Sequence, residues 1–314
     1  MDRTTRRELL RGGFSLAATA LAANAAGAAR IKMCLNCGNI GVRANLAESI
    51  AMAAKFGFQA VDPNVSELEA LTDSNMRARL DDLESKKLVF GSVGQGFPIA
   101  RPDEEWVAFV KNLAATANTL RRARMTRFVT WISSADATHP YVENFRLHAR
   151  RLREAAGILG DSGITLGLEY LGPKTMWTRA KYPFIHTMAE MKELIAEIGQ
   201  PNVGLLLDIW HWYNAGDTVA DVLSLKNKDI VAVHMSDAPA GVPIDQQMDN
   251  RRELPLATGV IDTAGFLNAL NQIDYDGPAA AEPFNAELRA LPPEQALAKA
   301  ADAMKRAFGL IAPN

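Results

Sequence analysis

The sequence has little of several residue types, and each shortage narrows the functions open to the chain. Its 314 residues include only 2 cysteines, which are too few for a zinc site built from four sulfur ligands. The 34 lysine and arginine residues are balanced by 36 acidic ones, so no basic excess points to a nucleic-acid partner. A glycine-lysine loop for phosphate is also lacking, which favours a substrate without a phosphate group.

The two cysteines lie three positions apart, in the order Cys34-Leu35-Asn36-Cys37. In an extended segment that spacing is too long for a disulfide, whereas a turn at Leu35 and Asn36 would bring the sulfur atoms within reach. We therefore predict two ordinary thiols at the start of the first loop and keep a redox pair as the alternative.

The first 29 residues differ from the rest of the chain and resemble a twin-arginine export signal. Arg6 and Arg7 form the twin arginine, and an alanine-rich run with small residues that fit a cleavage site covers residues 14–29. This run is short for a membrane span. We therefore predict a signal peptide at 1–29, a periplasmic protein and no stable membrane insertion after cleavage. An amphipathic helix on a cytoplasmic protein is the alternative.

From residue 30 to residue 314, short apolar segments alternate with longer amphipathic ones, which is typical of repeated strand-helix units. A chain of this length fits one α/β barrel, so we predict a single (β/α)8 TIM barrel over residues 30–314. The eight predicted strands cover residues 31–35, 59–62, 88–93, 127–131, 165–169, 203–207, 230–235 and 279–282.

An ionisable residue stands at the end of each of the last four predicted strands. These residues are Glu169, Asp208, His234 and Glu282. Because the carboxyl ends of barrel strands converge, we expect the four side chains to meet. Each alone has another explanation, since a carboxylate can cap the next helix and a histidine can lie in the core. Together, three carboxylates and one imidazole predict a divalent-metal site that suits Mn²⁺ or Mg²⁺, with Co²⁺ or Zn²⁺ as further options, and we favour Mn²⁺.

Two tryptophans lie close to this predicted site in the sequence. Trp210 follows Asp208 by two positions, and Trp177 lies in the long loop after Glu169, which has the length of a loop that closes over a ligand. The indoles could offer an apolar face to a sugar ring, or they could pack strand ends against helices. We predict both as substrate contacts, with packing as the alternative.

Short motifs after the last four strands carry a resemblance to a known family. They read Leu168-Glu169, Asp208-x-x-His211, Val233-His234-x-x-Asp237 and Glu282-Pro283-Phe284. Over about residues 30–310 the chain resembles the xylose isomerase-like barrels of the sugar phosphate isomerase/epimerase superfamily. It is similar in particular to ketose 3-epimerases and inosose dehydratases.

The resemblance implies a metal-dependent isomerase or epimerase of a keto sugar or polyol, working through an enediolate. The four strand-end residues would be the metal ligands, and Glu169 and Glu282 would also be the catalytic proton-transfer residues. His211 would contact the substrate. The segment Arg251-Arg252-Glu253-Leu254-Pro255 resembles the family's arginine-leucine-proline-glycine segment, and one of its two arginines, for which we favour Arg252, would also contact the substrate. A dehydratase, or a lyase of 3-keto-glycosides, would use the same site and is the main alternative. A sugar-binding protein without turnover is a further one.

The expected partner is a small carbohydrate, and a homo-oligomer stays open. The predicted third strand lacks the histidines that the related endonuclease branch of the superfamily uses for a zinc cluster, which speaks against DNA repair. The segment after Glu169 departs from the usual family pattern, so the identity of the sugar stays open.

Overall fold

Parallel strands form a barrel at the centre of the computed structural model, which describes residues 31–313. Within that range no helix is long and apolar enough to cross a membrane. The predicted signal peptide at 1–29 lies outside the described residues and stays a prediction. The barrel itself confirms the α/β fold class predicted from the alternation of apolar and amphipathic segments.

The sheet closes because its first and last segments belong to the same stretch of chain, residues 89–94. All its neighbouring segments pair in parallel. In spatial order the segments are Val89–Phe90, Ala60–Val61, Lys32–Leu35, Pro278–Ala281, Ile230–Met235, Val203–Asp208, Thr165–Glu169, Arg127–Trp131 and Val93–Gly94. Counting residues 89–94 once, the barrel has the eight strands that the sequence predicts.

The third strand is broken, although the sequence pattern predicts a continuous strand at 88–93. Its first piece, Val89–Phe90, pairs with the second strand, and its second piece, Val93–Gly94, pairs with the fourth. Gly91 lies at the break, where an added Cβ would come within 2.6 Å of Cys34 Sγ. The break cannot be predicted from the hydrophobic run, because an apolar pattern indicates burial but not hydrogen-bond pairing.

Helices surround the barrel. The described helices are Leu46–Phe56, Val65–Glu69, Asp73–Ser85, Asp103–Arg122, Tyr141–Gly160, Lys174–Trp177, Met188–Ile198, Ile209–Ala215, Val219–Leu223, Thr263–Gln272, Ala286–Arg289 and Pro293–Phe308, with 3-10 turns at Asn227–Asp229 and Ile244–Gln246. Their ends follow local signals: Asn45 and Glu48 form a capping box before the first helix, and Gly57 ends it with a φ of 80°.

Several short elements are not predicted by the sequence pattern. Among them, the helix Ile209–Ala215 starts directly after Asp208, and the strands Ala135–Asp136 and Tyr182–Pro183 form a separate antiparallel pair. These elements are too short to show a hydrophobic period. By contrast, the strands Arg127–Trp131, Thr165–Glu169 and Ile230–Met235 have the predicted bounds.

Small and branched side chains fill the inside of the barrel beneath its carboxyl end. Val129, Leu206 and Val231 form one cluster whose strands are not all neighbours, so these side chains meet across the interior. Cys34 belongs to a second small cluster. Cys34 and Cys37 are both buried and free, which confirms the prediction of two ordinary thiols.

Candidate active site

The four strand-end residues meet at the carboxyl end of the barrel. One ligand atom each from Glu169, Asp208, His234 and Glu282 lies within 4.8 Å of the others, and all four residues are buried. Parallel register brings them together, since His234 pairs with Asp208 on the strand beside it. We call these residues the four-residue cluster. The convergence expected from the sequence is therefore present, while metal binding itself stays a prediction.

The donor atoms of the cluster fit a divalent cation. Glu169 Oε1 and His234 Nδ1 are buried and have no hydrogen-bond partner among the described residues. His234 Nδ1 lies 3.3 Å from Glu282 Oε2 and 3.7 Å from Glu169 Oε1. Buried polar atoms without partners are costly unless a ligand satisfies them. Carboxylate oxygens with one imidazole nitrogen are suitable ligands for Mn²⁺, Mg²⁺ or Zn²⁺.

Burial and mutual charge move the pKa values in the cluster in different directions. Burial raises the pKa of Glu169, and the charges of Glu282 and Asp208 add to that increase. Burial also acts on Glu282, but the charges of His234 and Arg252 outweigh it and lower the pKa of this carboxyl. Two carboxyls whose pKa values are pushed apart are typical of an acid-base pair.

Arg252 reaches the cluster from the long loop after the seventh strand and is only 2% exposed. Its Nη1 donates to Asp208 Oδ2 at 2.7 Å and to Glu282 Oε2 at 3.0 Å. Its Nη2 donates to Asp249 Oδ1 at 2.6 Å. The guanidinium thus offsets part of the negative charge of three carboxylates, and it fixes the orientation of two members of the cluster.

Asp237 anchors the loop that carries Arg252. The carboxylate is fully buried, and the backbone of Asp237 pairs with Glu253, the residue after Arg252. Its side-chain oxygens accept hydrogen bonds from the backbone N–H groups of Ala238, Thr258, Gly259 and Ile261. This network holds the loop in one conformation and so helps to position the arginine.

His211 lies next to Arg252 and the cluster, as the sequence motif predicts. Burial lowers the pKa of His211 to about 4, so the ring is uncharged at neutral pH. Its Nδ1 accepts a hydrogen bond from the Gly172 N–H at 3.3 Å, and its Nε2 lies 3.8 Å from Asp208 Oδ2. Only 1% of the residue is exposed. Its contact with a substrate oxygen stays a prediction.

The two tryptophans predicted as substrate contacts are not among the residues that line the cleft at the carboxyl end of the barrel. Trp210 is fully buried, with the Arg252 guanidinium carbon 5.4 Å from its ring centroid. Trp177 stacks on His186, with ring centroids 4.8 Å apart. The geometry therefore favours the packing alternative for Trp210, and a sugar contact by Trp177 stays a prediction.

A cleft of about 1190 Å³ opens at the carboxyl end of the barrel. Glu169, His234 and Glu282 line one part of it. Asp62 and Trp131 line another part, and neither is singled out by the sequence pattern. Both stand at the ends of early strands, and that position was the available signal. Trp131 is 50% exposed, which is unusual for so large an apolar side chain.

Curated relatives match roughly half of the chain. An inosose isomerase from Halalkalibacterium halodurans is 26% identical over 151 residues, which are 48% of this chain and 50% of that protein. An L-ribulose 3-epimerase from Methylomonas sp. is 27% identical over 146 residues, 46% of this chain and 44% of the relative. A 3-dehydroshikimate dehydratase from Pseudomonas aeruginosa is 30% identical over 147 residues, 46% of this chain but 22% of the relative.

Solved structures share the fold over most of the chain. A xylose isomerase domain protein from Alicyclobacillus acidocaldarius has a TM-score of 0.76 and 26% identity, covering 89% of this chain and 99% of its own. An IolI protein with a binding zinc atom has a TM-score of 0.75 and 18% identity, covering 89% and 98%. A family model described as the xylose isomerase-like TIM barrel matches residues 50–307. By that match, which spans most of its length, the chain belongs to the xylose isomerase-like TIM barrel family.

Proposed function

We propose that the protein is a divalent-metal-dependent isomerase or epimerase of a keto sugar or polyol. The observation that carries this proposal is the convergence of four side chains that could bind a metal ion, three of which, Glu169, His234 and Glu282, line a large cleft. Relatives named inosose isomerase and L-ribulose 3-epimerase support a carbohydrate substrate. The site and the likeness to these relatives thus support the same enzyme class.

Glu169, Asp208, His234 and Glu282 would hold the cation. Three carboxylates make an oxygen-rich site, for which we favour Mn²⁺. The zinc atom named in the IolI structure makes Zn²⁺ the main competitor. When bound, the cation supplies positive charge that polarises the carbonyl and hydroxyl oxygens of the substrate.

The carboxyl groups of Glu282 and Glu169 would move the protons. Each would use the oxygen that does not bind the cation. We assign Glu282, whose pKa is lowered, as the base and Glu169, whose pKa is raised, as the group that returns a proton. The base takes the proton from the carbon beside the carbonyl. The C–H electron pair forms the carbon-carbon double bond, and the carbonyl oxygen becomes an enediolate oxygen.

Reprotonation decides the product. The strands of Glu169 and Glu282 are separated by two others, so the two carboxyls would face the bound substrate from different sides. A proton returned by Glu169 to the same carbon, on its other face, re-forms the carbonyl with inverted configuration. A proton returned to the neighbouring carbon gives an isomer instead. Exchange with water then restores both carboxyls.

Deuterium exchange tests this proposal directly. We would incubate D-fructose, L-ribulose and an inosose with the Mn²⁺-loaded protein in D2O and follow the carbon-bound protons by NMR. The expected result is loss of the proton signal at the carbon beside the carbonyl of at least one of them. Full retention of that signal with all three would contradict the proposal.

Elimination from the same enediolate is the second candidate, supported by the relative named 3-dehydroshikimate dehydratase. When the β-carbon carries a leaving group, that group departs with its bonding electrons and a carbon-carbon double bond remains. A departing hydroxyl takes a proton and leaves as water, and a departing glycosidic oxygen takes a proton and leaves as an alcohol. Product mass distinguishes these outcomes, because isomerisation leaves the mass unchanged.

We also propose that residues 1–29 direct the protein to the periplasm by the twin-arginine route. The support is the pair Arg6-Arg7 followed by the alanine-rich run. In a host with this pathway, cell fractionation should find a shortened protein in the periplasm. A double Arg6→Lys, Arg7→Lys variant should stay in the cytoplasm. Equal fractionation of the two forms would contradict export by this route.

A further inference from the structure

One wall of the cleft has no task in the proposed proton transfer. It is formed by Asn36, Asp62 and Ser92, which we call the polar wall. The buried Cys34 does not line the cleft, but its thiol donates to Asp62. These residues stand at or just after the ends of the first two strands and at the break in the third. Because all barrel strands point the same way, the polar wall faces the same cleft as the four-residue cluster.

Asp62 is the centre of the polar wall and has only neutral hydrogen-bond partners. Its Oδ1 accepts from the Ser92 N–H at 2.7 Å and from the Cys34 thiol at 3.2 Å. Its Oδ2 accepts from Asn36 Nδ2 at 3.3 Å. Within residues 31–313 it forms no ion pair with a lysine or arginine. A carboxylate has about four acceptor positions, so Oδ2 can accept further hydrogen bonds from the cleft.

The fold holds Asp62 in place by interrupting the sheet. At the break in the third strand, the Ser92 N–H donates to the Asp62 carboxylate. Gly91 makes room for this arrangement, because a Cβ there would collide with Asp62 Oδ1 and Cys34 Sγ. A continuous strand would pair its backbone groups within the ladder. The break therefore fixes the direction of one carboxylate at the expense of regular strand pairing.

The surroundings of the polar wall disfavour a negatively charged ligand. Glu67 and Glu69 line the same cleft. Among the described residues, Arg43 is the only lysine or arginine in its lining. A phosphate group beside Asp62 would meet like charge, which disfavours its binding. A neutral hydroxyl would instead donate a hydrogen bond to Oδ2.

We propose that the polar wall is a subsite for hydroxyl groups of an unphosphorylated sugar or polyol, remote from the reacting carbonyl. This inference rests on the proposed function, because it assigns the other end of the same substrate. Asp62 accepts hydrogen bonds from those hydroxyls, and its charge excludes the corresponding phosphate ester. The subsite thereby selects substrates by their distal end, independently of the proton transfer.

Calorimetric titration of the Mn²⁺-loaded protein tests the subsite without relying on turnover. The probes are D-fructose, L-ribulose and D-fructose 6-phosphate, and the variant is Asp62→Asn, which keeps an oxygen to accept from Ser92. The variant should bind the better neutral ketose about tenfold more weakly. It should also lose most of the wild-type preference for D-fructose over its phosphate ester. Asp302→Asn, on the outer helix Pro293–Phe308, is the matched control and should bind as the wild type does.

Several outcomes would overturn the subsite: equal binding of D-fructose and its phosphate by the wild type, no binding of either ketose, or unchanged constants in Asp62→Asn. A thermal unfolding midpoint close to that of the wild type shows that the variant is folded. Gly91→Ala provides a second test, because its Cβ displaces Asp62 and should weaken binding in the same way. Deuterium exchange separates the two proposals. If the wild type exchanges and Asp62→Asn binds normally, only the subsite is contradicted. If the wild type prefers D-fructose over its phosphate but does not exchange, only the reaction is contradicted.

Discussion

The two halves of the barrel end in different chemistry. Strands five to eight each deliver an ionisable side chain to the four-residue cluster, whereas strands one to four end on neutral or aromatic residues and one carboxylate, Asp62. All eight strand ends face one cleft. In the proposed function, the second half would carry the reaction, and the first half would recognise the part of the substrate that does not react. We call them the reactive half and the recognition half.

The loops at the carboxyl end of the barrel also differ between the two halves. In the second half, the loop after the fifth strand contacts the loop after the seventh, with Lys174 Nζ 2.6 Å from Asp245 Oδ2 and Thr175 Oγ1 donating to Gln247 O at 2.7 Å. In the first half, the polar wall lies directly on strand ends and their immediate continuation. The reactive half is thus bounded by linked loops, and the recognition half is built on the rigid sheet.

The largest expected effect follows from Glu282→Gln, which removes a carboxylate from the reactive half. We expect exchange at saturating sugar to fall by about 10²- to 10⁴-fold, since amide groups cannot serve as the base. Asp62→Asn, in the recognition half, should mainly raise KM and leave kcat within a few-fold. NMR exchange rates over a range of sugar concentrations measure both. Equal losses of kcat in the two variants would remove the distinction between the halves.

Arg252→Met should lower the free energy of unfolding by about 3–5 kcal/mol, because it leaves Asp208, Glu282 and Asp249 without their buried cation. Mn²⁺ should recover part of this loss, since ligand binding stabilises the folded state. Urea denaturation with and without Mn²⁺ measures the change. Arg251→Met is the matched control, because Arg251 is exposed. A similar loss in both variants would show that the charge of Arg252 has no special role.

Acid should destabilise the protein through two buried histidines, His211 in the site and His148 outside it. Burial lowers the pKa of His148 from 6.5 to about 4, as it does for His211 in the site. The unfolded chain binds these protons near pH 6.5 and the folded chain only near pH 4, so stability is fully present above pH 6.5 and is lost as the pH falls between these values. Each histidine accounts for up to about 3 kcal/mol.

His148→Gln separates the two contributions, because His148 lies on the outer helix Tyr141–Gly160 and not in the cleft. Between pH 4 and 6.5 the unfolding free energy of this variant should depend less steeply on pH than that of the wild type, because unfolding takes up one proton fewer. Denaturation curves at several pH values provide the measurement. An unchanged slope would mean that His148 takes up its proton normally in the folded state.

The smallest expected effect concerns the tryptophans. Trp131→Leu should weaken binding of a neutral ketose by about 2- to 10-fold, as expected for the loss of one aromatic contact. Trp177→Leu should have less effect, because that indole stacks on His186 rather than lining the cleft. Calorimetry on both variants decides between them. A larger loss in Trp177→Leu would support the prediction made from the sequence.

The reactive half could be predicted well because its signals are local. An apolar run that stops on Asp208 or His234 reports both a buried strand and the residue at its end, and parallel strands then bring those ends together. The barrel follows from the same alternation of segments. The position of Arg252 needed the family motif, since no local pattern shows that its loop folds back over the site.

The recognition half could not be predicted in the same way. Nothing in the run around Gly91 reveals that its neighbour Ser92 donates to Asp62 instead of to the sheet. The exposure of Trp131 and the burial of Trp210 depend on the surrounding chain, although Trp131 ends an apolar strand and Trp210 follows a similar strand by two positions. Long-range packing therefore decides which tryptophan meets the cleft.

Titration of Mn²⁺ into the protein after removal of bound metal tests whether the four-residue cluster is a metal site. We expect one Mn²⁺ per chain by calorimetry, with binding at least tenfold weaker in Asp208→Asn and in His234→Gln, and unchanged in Asp62→Asn. The absence of Mn²⁺ binding in the wild-type protein, or binding that Asp208→Asn and His234→Gln leave unchanged, would contradict it.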